Sequence, residues 1–309
     1  DDACAERLVV DLGKRAFRRP LTPDEVARYR RLYTAVRVAE SALLGAEAVI
    51  TALLQSPHFL YRSEVGLPVG GTRYTLTDHE IAAQLSYTLT GSMPDEGLLA
   101  AADRGELGTP AGLEREVRRL WATPRAREVA HDFVRAWLEL DRLDTVPKDA
   151  ATFPELTPAV RASMAGATAR RVEHALFTAD SLDELLAGEQ AYVDATLAQF
   201  LGVEHPAAGR DAQGFAPIQD PRRLGIVAEA SFLTTHARPN ASSPVHRGVT
   251  VRRRLLCQPL PPPPPGINAQ PPAVDPALTG RERYAAHSAV PACQACHRRI
   301  DDIGFGLEN

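Results

Sequence analysis

Two stretches of this chain spell out a helix start residue by residue. Thr22-Pro23-Asp24-Glu25 sets an N-cap threonine, a first-turn proline and a glutamate three positions on, and Thr77-Asp78-His79-Glu80 repeats the threonine and glutamate at the same spacing. Apolar residues follow at helical period: Val26, Tyr29, Leu32, Tyr33 and Val36 after the first, Ile81, Leu85 and Leu89 after the second. Leu113, Val117, Leu120 and Trp121 form another stripe, as do Val129, Phe133, Trp137 and Leu140, which assigns both tryptophans to a core. Ser181-Leu182-Asp183-Glu184 starts a further short helix. Period-two alternation is scarce, so Tyr74-Thr75-Leu76 and Phe215-Ala216-Pro217-Ile218 are expected at most as edge ribbons. The pattern predicts an all-α chain with an irregular helical bundle as its body.

A length of 309 residues exceeds one average domain. The expected organisation is an N-terminal helical block over 1–66, a main helical body over 67–258, and a Pro-rich strap with a small last segment over 259–309, cut short at its end. Pro261 to Pro265 run unbroken and Pro271-Pro272 follow, a texture that excludes helix and reads as a stiff polyproline-II spacer. A net charge of -4 leaves no basic excess for nucleic acid, and the one dense basic run, Arg252-Arg253-Arg254, reads as a solvated helix face. No stretch approaches the ~20 consecutive apolar residues of a membrane span.

The chemistry concentrates in Cys293-Gln294-Ala295-Cys296-His297. C-x-x-C-H is the spacing that fixes a c-type haem covalently: two thiols one helical turn apart add to the vinyl groups of one haem edge, and the adjoining histidine becomes the proximal iron ligand. Half of a zinc knuckle and a thioredoxin-type redox pair share the C-x-x-C core. A knuckle needs a second cysteine pair, whereas Cys4 and Cys257 stand alone; a redox pair needs a preceding buried strand, whereas a polar stretch precedes Pro291. After the motif, Ile300, Ile303 and Phe305 with Gly304 and Gly306 suggest a tight turn that lays an apolar wall on a flat ligand, or an ordinary turn with Phe305 in a local core. For the second axial position, Met93 and Met164 read as core residues, leaving His287 first and His246 next, with His236 behind them. Haem-c ligation takes place outside the cytoplasm, which predicts a periplasmic or cell-surface protein. In that compartment Cys4 and Cys257 pair as a disulfide or stay as two buried thiols.

Four blocks then resemble a known group of proteins: Leu12 to Thr22, Ser56 to Arg62, Ser242 to Gly248, and the C-terminal C-x-x-C-H-x-x-I-D-x-I-G-F-G-L-E. Together they resemble large secreted bacterial proteins of domain-of-unknown-function families 1595, 1592 and 1588, over nearly the whole chain. The resemblance implies a cytochrome-c-like last segment with thioether links at Cys293 and Cys296 and iron ligation by His297. Asp302 stands where the family usually has proline, a departure expected to alter the loop that orients His297. The combined expectation is an extracytoplasmic c-type haem protein that passes single electrons to or from a redox partner or a substrate bound by the helical body. The alternatives are a haem-dependent oxidase or peroxidase, and a surface-binding scaffold in which haem is minor or absent.

Overall fold

The computed structural model describes residues 2–258, 260–261, 272–275, 277–288 and 291–308, the side chains of 2, 286–288, 292 and 295 excepted. It is 60% helix with few strands. The chain forms two compact units, Asp1–Val129 and Ala130–Asn309. The Pro-rich spacer falls mainly on residues outside the described ones.

The first unit contains α1 (Asp2–Phe17), α2 (Pro23–Ala39), α3 (Ala42–Leu54), α4 (Pro57–Leu60), an exposed hairpin of β1 (Leu67–Gly70) and β2 (Arg73–Thr75), then α5 (Asp78–Thr90), α6 (Glu96–Asp103), α7 (Pro110–Trp121) and the start of α8 (Pro124–Trp137). Both capping boxes form, with Thr22 accepting from the Glu25 amide and Thr77 from that of Glu80, and each glutamate returning to the cap amide. Val9, Phe17, Tyr29, Tyr33, Val49 and Leu53 close a core between α1, α2 and α3. Arg18 ends α1 with a left-handed backbone and is buried. Its guanidinium donates to the main-chain oxygens of His58 (2.6 Å) and Tyr61 (2.9 Å), so the Ser56–Arg62 block is held by the block that contains Arg18. Arg19 grips Glu25 with two 2.9 Å hydrogen bonds, which hold that carboxyl down to about 2.

Two stripes differ from their expected faces. In α8 the buried positions are Ala126, Ala130, Val134 and Leu138, one residue round from the expected set. Phe133 is 63% exposed and stacks on Trp137 at 5.8 Å, while Trp137 donates its indole hydrogen to the Arg254 carbonyl. In α7 Leu113 is exposed and Gly112, Glu116 and Leu120 face inward. In α8 the packed face is the one with the smaller residues, and in α7 it includes Glu116, which accepts from Arg115 and Arg119.

The second unit continues with α9 (Pro158–Glu173), a π turn at His174–Thr178, α10 (Leu182–Ala187), β3 (Gln190–Val193), α11 (Ala195–Leu201), β4 (Ala216–Gln219), α12 (Ala230–Thr235), α13 (Pro244–Arg254), α14 (Gly280–Ser288) and α15 (Pro291–Phe305). β3 and β4 pair antiparallel with Ala191 opposite Ile218, which confirms a ribbon at the second expected site. Met164 is a core residue, as expected, among Val160, Leu197 and Phe215. At the centre, Arg171 of α9 is fully buried and donates to Glu229 and to the carbonyls of Gly188 (3.0 Å) and Arg223 (3.2 Å), tying α9 to the segments before α11 and α12. Burial still pushes the Glu229 carboxyl up, against the opposing pull of Arg171. The basic run of α13 is not simply a solvated face: Arg254 is ion-paired to Glu139 at 2.6 Å, and Arg252 donates to the Arg299 carbonyl.

α13 and α15 meet backbone to backbone. A Cβ at Gly304 would lie 2.0 Å from the Pro244 oxygen and one at Gly248 2.4 Å from the Ile300 oxygen, distances real atoms do not reach. Gly304→Ala is therefore expected to destabilise the second unit by about 1–3 kcal/mol, read as a lower urea midpoint of its transition. Gly97→Ala on α6, where the added carbon meets its neighbours at 3.5 Å or more, is the matched control and should leave the midpoint unchanged or raised.

His236, at the end of α12, is fully buried and hydrogen-bonded through Nε2 to the Leu138 carbonyl at 2.9 Å. Burial lowers its pKa from 6.5 to about 4; Leu138 and Glu139 oppose this, and His246 and Arg142 add to it. The folded state thus refuses a proton that the unfolded chain accepts between these values. Stability should fall as pH drops from 6.5 toward 4, by up to roughly 1.4 kcal/mol per pH unit, and level off below. His236→Gln keeps a donor for Leu138 and should flatten that slope in urea titrations across the window; an unchanged slope would assign it to other groups.

Candidate functional site

The C-x-x-C-H motif occupies the first two turns of α15, so Cys293 and Cys296 stand one turn apart on a regular helix with His297 beside the second. Both thiols are half-buried and His297 is 9% exposed. Cys293, His297, Ile300 and Gly304 follow one another at spacings of four, three and four, which places them on one stripe of the helix. The Ile300–Gly304 half of that stripe lies on Gly248 and Pro244 of α13; the Cys293–His297 half precedes it along α15.

His297 is oriented by its own helix. Asp301 stands four residues on, and its Oδ1 lies 2.8 Å from Nδ1 of the ring. A carboxylate only accepts, so Nδ1 carries the hydrogen, which in a neutral imidazole puts the lone pair on Nε2. A carboxylate on the far side of an imidazole also raises the basicity of the ligating nitrogen. This donor set fits a haem: two thiols at thioether spacing and one histidine in a fixed tautomer. A protein-only metal cage is less well supplied, since among the described residues no three His, Cys, Asp or Glu side chains converge as metal ligands.

Other expected site residues are dispersed. The expected tight turn at Gly304 is a continuing helix, because α13 uses the space its missing side chain leaves. Ile300 is buried against Gly248, Ile303 is half-buried, and Phe305 is in a local core, its ring edge-on to Tyr284 of α14 at 6.3 Å with the Arg281 guanidinium 4.6 Å from its centre. Asp302 lies on the same helix, exposed, in place of the loop expected there. His246 is two residues from both Pro244 and Gly248, on the opposite side of α13, where its ring meets His236 at 5.3 Å; it does not face α15. The side chain of His287 lies outside the described residues. Cys4 and Cys257 are both exposed, one in each unit, and their pairing stands as a proposal. Asp301 is the residue that reading the sequence missed. The His-x-x-x-Asp spacing, once helical, is the signal that finds it.

The Ser242–Gly248 block meets the end of the same segment. Ser242 donates to Glu308, and Arg247 donates to the Leu307 carbonyl at 2.9 Å and to Glu308 at 2.6 Å. Among the described residues no helix is long and apolar enough to cross a membrane.

Residues 4–64 match the family model PSD5, Protein of unknown function (DUF1595); residues 76–203 match PSD4, Protein of unknown function (DUF1592); and residues 223–309 match PSCyt3, Protein of unknown function (DUF1588). No curated protein and no solved structure matches the chain. The three segments follow one another in this order along most of the chain, each matching one of the DUF1595, DUF1592 and DUF1588 families of proteins of unknown function.

Proposed function

We propose that this chain is an extracytoplasmic c-type haem protein, periplasmic or on the cell surface, that exchanges single electrons with a redox partner or with a substrate held by its helical body. One observation carries the reading: the C-x-x-C-H histidine is held through Nδ1 by a carboxylate on the same helix, an arrangement that suits an iron-ligating imidazole. The short name PSCyt3, on the family model that covers this segment, points the same way. Cys293 and Cys296 would hold the haem through thioethers and His297 would ligate its iron. Bound there, the haem supplies a one-electron couple.

The chain's own residues then have defined tasks. Asp301 keeps the Nδ1 proton and fixes the ring's tautomer. Gly248, Gly304 and Ile300 lock α15 against α13, so that His297 is presented from a rigid element rather than a loop. Arg247 ties the residues after α15 to α12 through the Leu233 carbonyl.

Protein matured with c-type haem machinery should retain one haem by intact mass after acid-acetone extraction; complete loss of haem under that treatment sinks the proposal. Asp301→Asn should keep the haem and raise its reduction potential, because a less basic imidazole stabilises the oxidised iron less. His297→Ala protein that carries haem with an unchanged Soret band and potential would exclude this histidine as ligand.

A further inference from the structure

The second unit contains a cavity of about 280 Å³ whose lining combines two chemistries. Phe153, Leu156, Met164 of α9, Phe200 of α11 and Leu233 of α12 are apolar. Lys148, Arg223, Arg238 and Arg247 are cations, and among the described residues no carboxylate lines the cavity. Arg223 has Asp220 as a partner at 3.3 Å and Arg247 has Glu308 at 2.6 Å. Lys148 donates only to the Ala237 (2.8 Å) and Arg238 (3.0 Å) carbonyls, and the Arg238 guanidinium lies 5.9 Å from the centre of the Tyr284 ring; among the described residues neither is paired with a carboxylate. The wall therefore holds two positive charges more than its counter-ions neutralise. Arg247 is more than nine-tenths buried, and its Nε has no hydrogen-bond partner among the described residues.

From this wall we infer that the cavity is a binding site for an apolar monocarboxylate, an aromatic or medium-chain organic acid whose carboxylate meets Lys148, Arg238 and Arg247 while its body fills the space against Phe200 and Leu233. Lys148 and Arg238 are half-buried, and holding unbalanced positive charge partly out of water is unfavourable; an anion removes that cost where a neutral ligand cannot. The strain is visible on Lys148, whose ammonium is pulled down to about 8 by burial and by Arg161 and Arg247. The volume, about 280 Å³, sits just below the ~300–1,000 Å³ usual for small-molecule pockets, which suits one fused ring system or one medium-length alkyl chain and not a two-chain lipid. An inorganic anion would leave the apolar part unfilled. The inference holds whether or not α15 carries haem, although Arg247 links the two places by donating to Leu307 and Glu308 just beyond α15.

The test is calorimetric titration of the full chain, with and without haem loading, with 2-naphthoate and decanoate, and with 2-naphthylmethanol and inorganic phosphate as comparators. Saturable binding of at least one acid, absent for the alcohol and for phosphate and weakened at least roughly tenfold in Arg238→Ala, supports the site. Lys148→Met is the second variant, and circular dichroism melts of both report whether the fold survives. No saturable binding by either acid overturns the inference, as does equal binding of the alcohol, binding of phosphate alone, or full affinity in both folded variants. Acid binding by protein that never retains haem would overturn the proposed electron-transfer function and leave this site standing.

Discussion

A carbon atom added at Gly304 or Gly248 would collide with a carbonyl oxygen of the facing helix, so α13 and α15 sit at a separation open only to residues without side chains. Glycine inside a helix costs about 0.5–1 kcal/mol relative to alanine. Two of them at one crossing weaken both helices unless tertiary contact returns more. The return here is placement. α15 carries Cys293, Cys296 and His297 as rigidly as α13 is itself held, and α13 is held by Arg247 to Leu233 and by Arg254 to Glu139.

Charge buried in the second unit follows a consistent logic. Arg171 and Glu229 satisfy each other in full burial, with two carbonyls completing the guanidinium, and so fix neighbouring segments without a surplus. Arg247 is balanced by Glu308 but keeps one N–H without a protein partner. Lys148 and Arg238 have carbonyl and aromatic neighbours in place of a carboxylate. The half-buried Lys148 and Arg238 of the cavity thus differ from the fully buried Arg171, whose charge Glu229 answers.

Local chemistry was readable from the chain because it is local. Thr22 with Glu25 and Thr77 with Glu80 need only three-residue spacing, and both helices begin where those spacings say. The α8 face differs from the expected one because Phe133 and Trp137 are large and apolar, while the residues that pack include the small Ala126 and Ala130. Gly304 differs as well: a glycine next to Phe305 signals a turn unless something else needs the vacant space, and the Pro244 carbonyl that needs it is sixty residues away in sequence. Asp301 lay in plain view at helical spacing from His297, but its role depends on the segment being helix. The cavity cations, spread from Lys148 to Arg247, share no sequence pattern at all.

The blocks that carry the family resemblance turn out to be largely positional. Arg18 spends its guanidinium on the Ser56–Arg62 turn, while the Ser242 hydroxyl and the Arg247 guanidinium donate to Glu308. In each unit, then, the most recognisable residues are those that fasten one chain segment to another distant in sequence. The C-terminal block differs in what it brings onto one helix: two thiols and a histidine whose Nδ1 meets Asp301. A carboxylate at that nitrogen fixes which ring nitrogen carries the hydrogen, as the Leu138 carbonyl does for the buried His236. Under the proposed function the same choice assigns Nε2 to the iron.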